Sequence, residues 1–163
     1  MKSIMITGAD SGLGFETAQK ISENQDFAVV LACRNEQKAQ DARQKIINET
    51  GNQNVSTELV DVSSLASVQE CASRMISENS AIDVLINNAG ISPQHSGTTE
   101  DGYELVFVTN YLGAFALTLQ LLQQIAPDGG VIMVSSDMHN PPGGLTWPGL
   151  QYIAHEAQND RTR

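Results

Sequence analysis

Short runs of consecutive apolar, often β-branched residues alternate along the chain with longer stretches whose apolar positions recur at helical spacing. Ser3–Thr7 leads into Gly12–Ser22, Phe27–Ala32 into Glu36–Glu49, Val55–Val60 into Leu65–Glu78, and Ile82–Asn87 into Tyr103–Ile125, with a last run at Gly130–Ser135. The pattern predicts five strands and four helices in strict alternation. The segments AVVLA, DVLI and VIMV lack the apolar–polar alternation of a half-exposed strand, so they are expected to be buried on both faces. Strict alternation and doubly buried strands together predict an α/β fold, a parallel sheet with helices on both sides. Gly51-Asn52 is expected to end the second helix, and Pro127-Asp128-Gly129-Gly130 to separate the fourth helix from the fifth strand. Beyond Ser136 the pattern dissolves into a Pro/Gly-rich stretch, which excludes regular structure. Residues 151–163 could form one short helix, and no sixth strand follows.

Composition narrows the function classes. A chain of 163 residues is one domain by length. Its net charge is −10, all four lysines lie at or before Lys45, and Arg74 is the only Lys or Arg between residues 46 and 160. That leaves no basic stripe to replace counterions, so nucleic acid is excluded as a partner. No run approaches the roughly 18 apolar residues of a membrane span, and Ile4–Ile6 passes at once into a glycine-rich loop rather than a secretory leader. The chain is therefore expected to be cytoplasmic, without a membrane span. Cys33 and Cys71 are isolated thiols without metal-like spacing; they are expected to be small buried apolar residues, and no metal site is expected.

Candidate chemistry begins at residues 7–14, TGADSGLG, between the first strand and the first helix. Glycines there permit a tight turn and let the backbone approach a pyrophosphate, whose charge then faces the N–H groups of the helix. A plain tight connection has the same look, and the motif alone leaves both readings open.

Thr7-Gly8-x-x-x-Gly12-x-Gly14 resembles the glycine motif of the short-chain dehydrogenase/reductase family, and further matches follow in order. They are Asp61-Val62 after the third strand, Asn87-Asn88-Ala89-Gly90 after the fourth, Asn110-x-x-Gly113 in the long helix, and Ser135-Ser136 closing the fifth strand. LACRN at 31–35 and DGYELVFVTNYLG at 101–113 are similar to the retinol-dehydrogenase-like and protochlorophyllide-reductase-like branches. The resemblance covers the chain as far as Ser136. It implies a Rossmann-like, doubly wound parallel sheet of five strands in the order 3-2-1-4-5, truncated before the sixth strand. Residues 1–136 would be the dinucleotide-binding domain, and 137–163 a Pro/Gly-rich loop and tail of the same domain.

The resemblance further implies a dinucleotide held by Gly8, Ser11, Gly12, Leu13, Gly14, Asp61, Val62, Asn88, Ala89 and Gly90. Asp61 would accept from the adenine amino group, and Asn88 would line the adenosine-ribose side and tie neighbouring strand ends together; Asn87 would serve structure. Asp61 has an alternative as a cap for a helix starting near Ser63, and Gly90 as a plain tight turn. A dinucleotide fold that selects NAD places an acid about 20 residues beyond the glycines. This chain has Cys33 and then Arg34. A guanidinium there would pair with a 2′-phosphate, so NADP is expected over NAD; the alternative is a solvated charge after a strand. Asp10 is discordant on a phosphate loop unless its side chain turns away or caps the helix at Gly12.

Members of the family move a hydride between nicotinamide C4 and a carbonyl carbon, with a tyrosine as proton donor or acceptor and a lysine four residues later that lowers its pKa. A serine binds the carbonyl oxygen and an asparagine orders a water. Ser136 and Asn110 match these last two. The only tyrosine after Ser136 is Tyr152, and four residues beyond it stands Glu156, which would raise the phenol's pKa rather than lower it. The expected Tyr-x-x-x-Lys would therefore lie beyond residue 163. The chain reads as the first half of such an enzyme, inactive alone, with a small carbonyl or alcohol substrate only if a C-terminal half is supplied. A missing sixth strand would leave an edge beside Val131–Ser135 unpaired and the apolar face of Leu105–Ile125 short of cover. Homo-oligomers through that edge or through the 103–125 helix are the expected consequence. The alternative reading is a non-enzymatic nucleotide-binding or self-associating module.

Overall fold

A computed structural model describes residues 1–92 and 97–136. The elements are β1 (Lys2–Thr7), α1 (Gly12–Ser22), β2 (Phe27–Cys33), α2 (Glu36–Thr50), β3 (Val55–Leu59), α3 (Leu65–Ser77), β4 (Ile82–Asn87), α4 (Leu105–Phe107), α5 (Gly113–Leu121) and β5 (Ile125–Met133). One π-helical turn, Val108–Leu112, joins α4 to α5, and a 3₁₀ turn, Leu122–Gln124, leads into β5. The sheet is parallel throughout, in the order β3-β2-β1-β4-β5. It is the α/β, Rossmann-like doubly wound sheet that the sequence pattern and the resemblance predict.

Two apolar layers form because successive strand residues point to opposite faces. Ile4 and Ile6 of β1 join Val29, Leu31, Phe15 and Ile46 on the α1–α2 side. Met5 between them joins Val68, Met75, Leu85, Leu117 and Leu121 on the α3–α5 side. Both cysteines are buried free thiols, one in each layer, and burial pushes each up to about 12. They stay protonated and inert at neutral pH, as expected of small apolar fillers.

The structure departs from the sequence reading chiefly at the long helix and at the last strand. The long helix begins at Leu105 rather than Tyr103 and is interrupted by the π turn. Pro127–Gly130 is not a separator; the chain enters the sheet at Ile125, opposite Ile82, bulges, and regains register where Gly130 faces Val84. Gly129 fits the bulge because a Cβ there would meet the Asp83 carbonyl at 2.6 Å. The segment Leu105–Gln124 is also, by length and composition alone, long and apolar enough to cross a membrane, which corrects the expectation that no segment is. Thr109, Asn110, Gly113 and Thr118 interrupt its apolar run, which is why counting consecutive apolar residues passes over it. Its inner residues Val108, Leu117 and Leu121 are fully buried.

The two sheet edges are treated differently. On β3, Arg43 Nε donates to the Val55 carbonyl and an Arg74 guanidinium nitrogen to the Leu59 carbonyl, both at 2.6 Å. On β5 no further strand pairs among the described residues, and Val131 to Val134 are 37–51% exposed. The expected short helix at 151–163, with Tyr152 and Glu156, lies outside the described residues.

Candidate functional site

The connections leaving the carboxyl ends of β1 to β4 converge on a cleft of about 550 Å³. The strand order reverses between β1 and β4, and in open α/β sheets that switch point is where ligands bind. The cleft's volume lies in the range of small-molecule sites. It gathers Gly8, Ser11, Gly12, Leu13 and Gly14 from the first connection, Arg34 from the second, Asp61 and Val62 from the third, and Asn88, Ala89 and Gly90 from the fourth.

Its floor is the turn into α1. Gly12 has φ +53°, a left-handed conformation that side chains resist. Gly14 is needed for a different reason: a Cβ there would strike the Gly8 carbonyl oxygen and the Asn88 amide nitrogen. Ser11, not Asp10, is the N-cap of α1, and it makes no side-chain cap bond. The first-turn N–H groups of α1 are left without a side-chain cap, beside the cleft. That is the arrangement that receives an anion at a helix N-terminus. Leu13, 75% exposed, forms part of the rim.

A knot of long-range hydrogen bonds fixes this turn against the end of β4. Thr7 Oγ1 accepts from the backbone N–H groups of Asn88 and Ala89, each at 2.9 Å, and Thr7 is 1% exposed. Asn88 Nδ2 returns a bond to the Thr7 carbonyl at 2.9 Å. Asn88 thus ties the strand ends together, as the sequence reading expects. Asn87 points the other way and is structural: its Nδ2 donates to Thr118 Oγ1 at 2.9 Å, while its buried Oδ1 has no partner among the described residues.

At the end of β2, Cys33 is buried beneath the glycine loop, with the backbone N–H groups of Ala9 and Asp10 directed at its sulfur. The next residue, Arg34, is exposed and lines the cleft. At the end of β3, Asp61 Oδ1 accepts from Ser63 N at 2.9 Å and from Ser63 Oγ at 2.6 Å. It does not cap α3, which starts at Leu65 with Ser64 as its N-cap. Asp61 Oδ2 has no hydrogen bond among the described residues and remains available to a ligand in the cleft.

Asn110 and Ser136 do not line the cleft. Asn110 sits in the π turn beside it, where Oδ1 accepts from Ile91 N at 2.8 Å and Nδ2 donates to Ile91 O at 2.9 Å. It clamps the connection that follows β4. The π turn and α5 are held against the third connection at Gly113, where a Cβ would overlap the Val62 carbonyl oxygen. Ser136 is exposed, three residues beyond the end of β5.

A family model described as short chain dehydrogenase matches residues 2–146. The chain belongs to the short-chain dehydrogenase family of oxidoreductases, which bind nicotinamide dinucleotides. It is similar to human retinol dehydrogenase 13, 38% identical over 140 residues, which are 85% of this chain and 42% of that protein. The chicken WW domain-containing oxidoreductase is 41% identical over 141 residues, 85% of this chain and 34% of that protein. Among solved structures, a putative uncharacterized protein from Mycobacterium paratuberculosis superposes with a TM-score of 0.75 at 36% identity, over 86% of this chain and 48% of that one. The chain thus spans less than half the length of the curated relatives it matches.

The cleft also includes residues that sequence reasoning passed over: Asn35, Lys38, Ile91 and Thr109. Ile91 and Thr109 become visible only through the Asn110 clamp and the π turn. Asn35 and Lys38 had a local signal, since the cap and the first turn of α2 follow directly on Arg34.

Proposed function

We propose that the chain is the cofactor-binding part of an NADP-dependent dehydrogenase or reductase acting between carbonyl and alcohol. The observation that carries the choice of NADP is the end of β2. No acid stands there to accept a ribose 2′-OH; a buried thiol takes its place, and the next residue presents a guanidinium to the cleft. Fit to a dinucleotide is supported by the turn itself, since the space beside Gly12 is open, with no protein atom within 4 Å of where a Cβ would stand, and the first turn of α1 has no side-chain cap.

In this reading the first-turn N–H groups of α1 hold the pyrophosphate, Arg34 pairs with the 2′-phosphate, and Asp61 Oδ2 accepts from the adenine amino group. Thr7 and Asn88 keep the turn and the end of β4 in one position, so the site is organised before the ligand arrives. Asn110 does the same for the connection at Ile91, and Ser136 would hydrogen-bond the substrate oxygen. The nicotinamide, when bound, supplies or accepts the hydride. Proton transfer at the substrate oxygen needs a group with a tuned pKa, and no lysine follows Lys45 to lower that of a phenol. We therefore assign cofactor binding, without turnover, to these 163 residues.

Fluorescence titration tests the assignment. The 163-residue chain is expected to bind NADPH more tightly than NADH, and Arg34→Leu to weaken NADPH about 10- to 100-fold while leaving NADH nearly unchanged, the range for a charge-assisted hydrogen bond. A preference for NADH in the unaltered chain overturns the NADP assignment. Oxidation of NADPH by the chain on addition of an aldehyde overturns the division between binding and turnover.

A further inference from the structure

We propose that Asp101 is a positioning residue for the adenine side of this site: it ties the turn before α4 to the start of α3 and so holds Asp61 in place at the cleft. The inference rests on the reading of the cleft as an NADP site and deepens it.

Asp61 moves with the first turn of α3. Its backbone N–H donates to Ser67 Oγ at 2.9 Å, its carbonyl accepts from Ser64 N at 3.0 Å, and its Oδ1 holds Ser63. Wherever the start of α3 sits, the remaining oxygen, Oδ2, sits with it. An acceptor for a purine amino group has to stand within about 2.7 to 3.2 Å of the nitrogen, so the start of α3 needs a fixed position of its own.

That position comes from a remote part of the chain. The N–H of Leu65, the first residue of α3, donates to Asp101 Oδ2 at 3.1 Å, across 36 positions of sequence. Capping alone does not require this bond, because Ser64 is already the N-cap and its Oγ accepts from Ser67 N at 3.3 Å. The start of α2 is likewise served by its own neighbour, Asn35. A carboxylate brought to a helix N-terminus from so far away adds favourable charge there, and it also joins two elements that the sequence keeps apart.

The segment that carries Asp101 is built to hold a position. Thr99 N donates to Tyr103 O and Gly102 N to Thr99 O, each at 2.9 Å, and Leu105 N donates to Gly97 O at 3.0 Å. Gly102, at φ +81°, makes the reversal that closes this turn. The chain then runs through α4 into the π turn, where Asn110 clamps Ile91. One continuous segment therefore grips two connections of the cleft, the fourth through Asn110 and the third through Asp101. Gly113, packed against the Val62 carbonyl, adds a second hold on the third.

The test uses the 163-residue chain with NADPH and NADH. Asp101→Ala is expected to weaken both cofactors by the same factor, roughly three- to tenfold, the range for one solvent-exposed hydrogen bond. Asp101→Asn keeps an acceptor oxygen and is expected to recover most of the loss. A double-mutant cycle separates action through Asp61 from a general effect on the fold. In an Asp61→Asn background, where Oδ1 still holds Ser63 but the second acceptor is gone, Asp101→Ala is expected to change NADPH affinity by less than about twofold. The full loss in that background overturns the proposal. Amide exchange gives a second reading: the slowing that NADPH causes at 61–62 is expected to shrink in Asp101→Ala while the slowing at 8–14 persists. Slowing at 61–62 equal to that of the unaltered chain, or unchanged NADPH affinity in Asp101→Ala, overturns the role of Asp101 alone. If the unaltered chain binds neither cofactor, the reading of the cleft falls and the role of Asp101 with it.

Discussion

Gly113→Ala is expected to destabilise the chain by about 3 kcal/mol or more, enough to leave much of it unfolded at 37 °C. Backbone freedom is not the reason, since Gly113 has φ −65° and ψ −43°, an ordinary helical conformation. The reason is contact: an added methyl would overlap the Val62 carbonyl oxygen and lie 2.8 Å from its carbon. Neither side can retreat cheaply. Gly113 opens α5, whose Leu117 and Leu121 are fixed in the α3–α5 layer, and Val62 leads toward α3 through the turn closed by Asp61 and Ser63. Separating them would also move the π turn and release the Asn110 clamp on Ile91. Urea unfolding followed by circular dichroism measures the effect. A midpoint within about 0.5 kcal/mol of the unaltered chain would show that α5 does not press on the third connection as described.

Thr7→Val is expected to cost about 2 to 3 kcal/mol and to abolish measurable dinucleotide binding. Valine has nearly the shape of threonine, so packing in the 1%-exposed pocket is preserved. What disappears is the acceptor for the Asn88 and Ala89 N–H groups, and leaving largely buried donors unpaired costs about 1 to 3 kcal/mol each, discounted here because the cleft admits water to them. The ends of β1 and β4 would then part at the point where Gly8 and Gly14 shape the floor. Thr7→Ser keeps the hydroxyl and should retain binding. Equal loss in the serine and valine variants would mean that the methyl, rather than the hydrogen bonds, organises the turn.

These two positions mark how far the sequence could be read. Strands were legible because runs of consecutive apolar, mostly β-branched residues at Val29–Leu31 and Val84–Ile86 suit a sheet covered on both faces; Val131–Val134 also proved to lead through a strand, but the expectation that this run is buried on both faces fails, since it is 37–51% exposed on the unpaired edge. The glycine turn was legible as well, its spacing fixed by local geometry. The start of β5 was not: Pro127 and the two glycines look like a stop, and only the pairing of Ile82 with Ile125 shows that they form a bulge inside a strand. Thr7 and Gly113 stood in recognisable motifs, yet their reasons lie in partners far away in sequence, the N–H groups after β4 and the carbonyl of Val62. Lys38 was hidden among the charged residues of α2, which look like a solvated face. Its place beside the glycine turn depends on the parallel pairing of β1 with β2, which brings the start of α2 to the start of α1.

The central claim is that the cleft at the switch point binds NADP(H). Amide hydrogen exchange on the 163-residue chain, with and without saturating NADPH, tests it position by position. The account predicts slowed exchange in residues 8–14, 34–38, 61–62 and 88–91, and no change on the outward face of α5 at Phe115 and Leu119. Exchange that NADPH leaves unaltered in the glycine turn, or slows only outside these four connections, would contradict it.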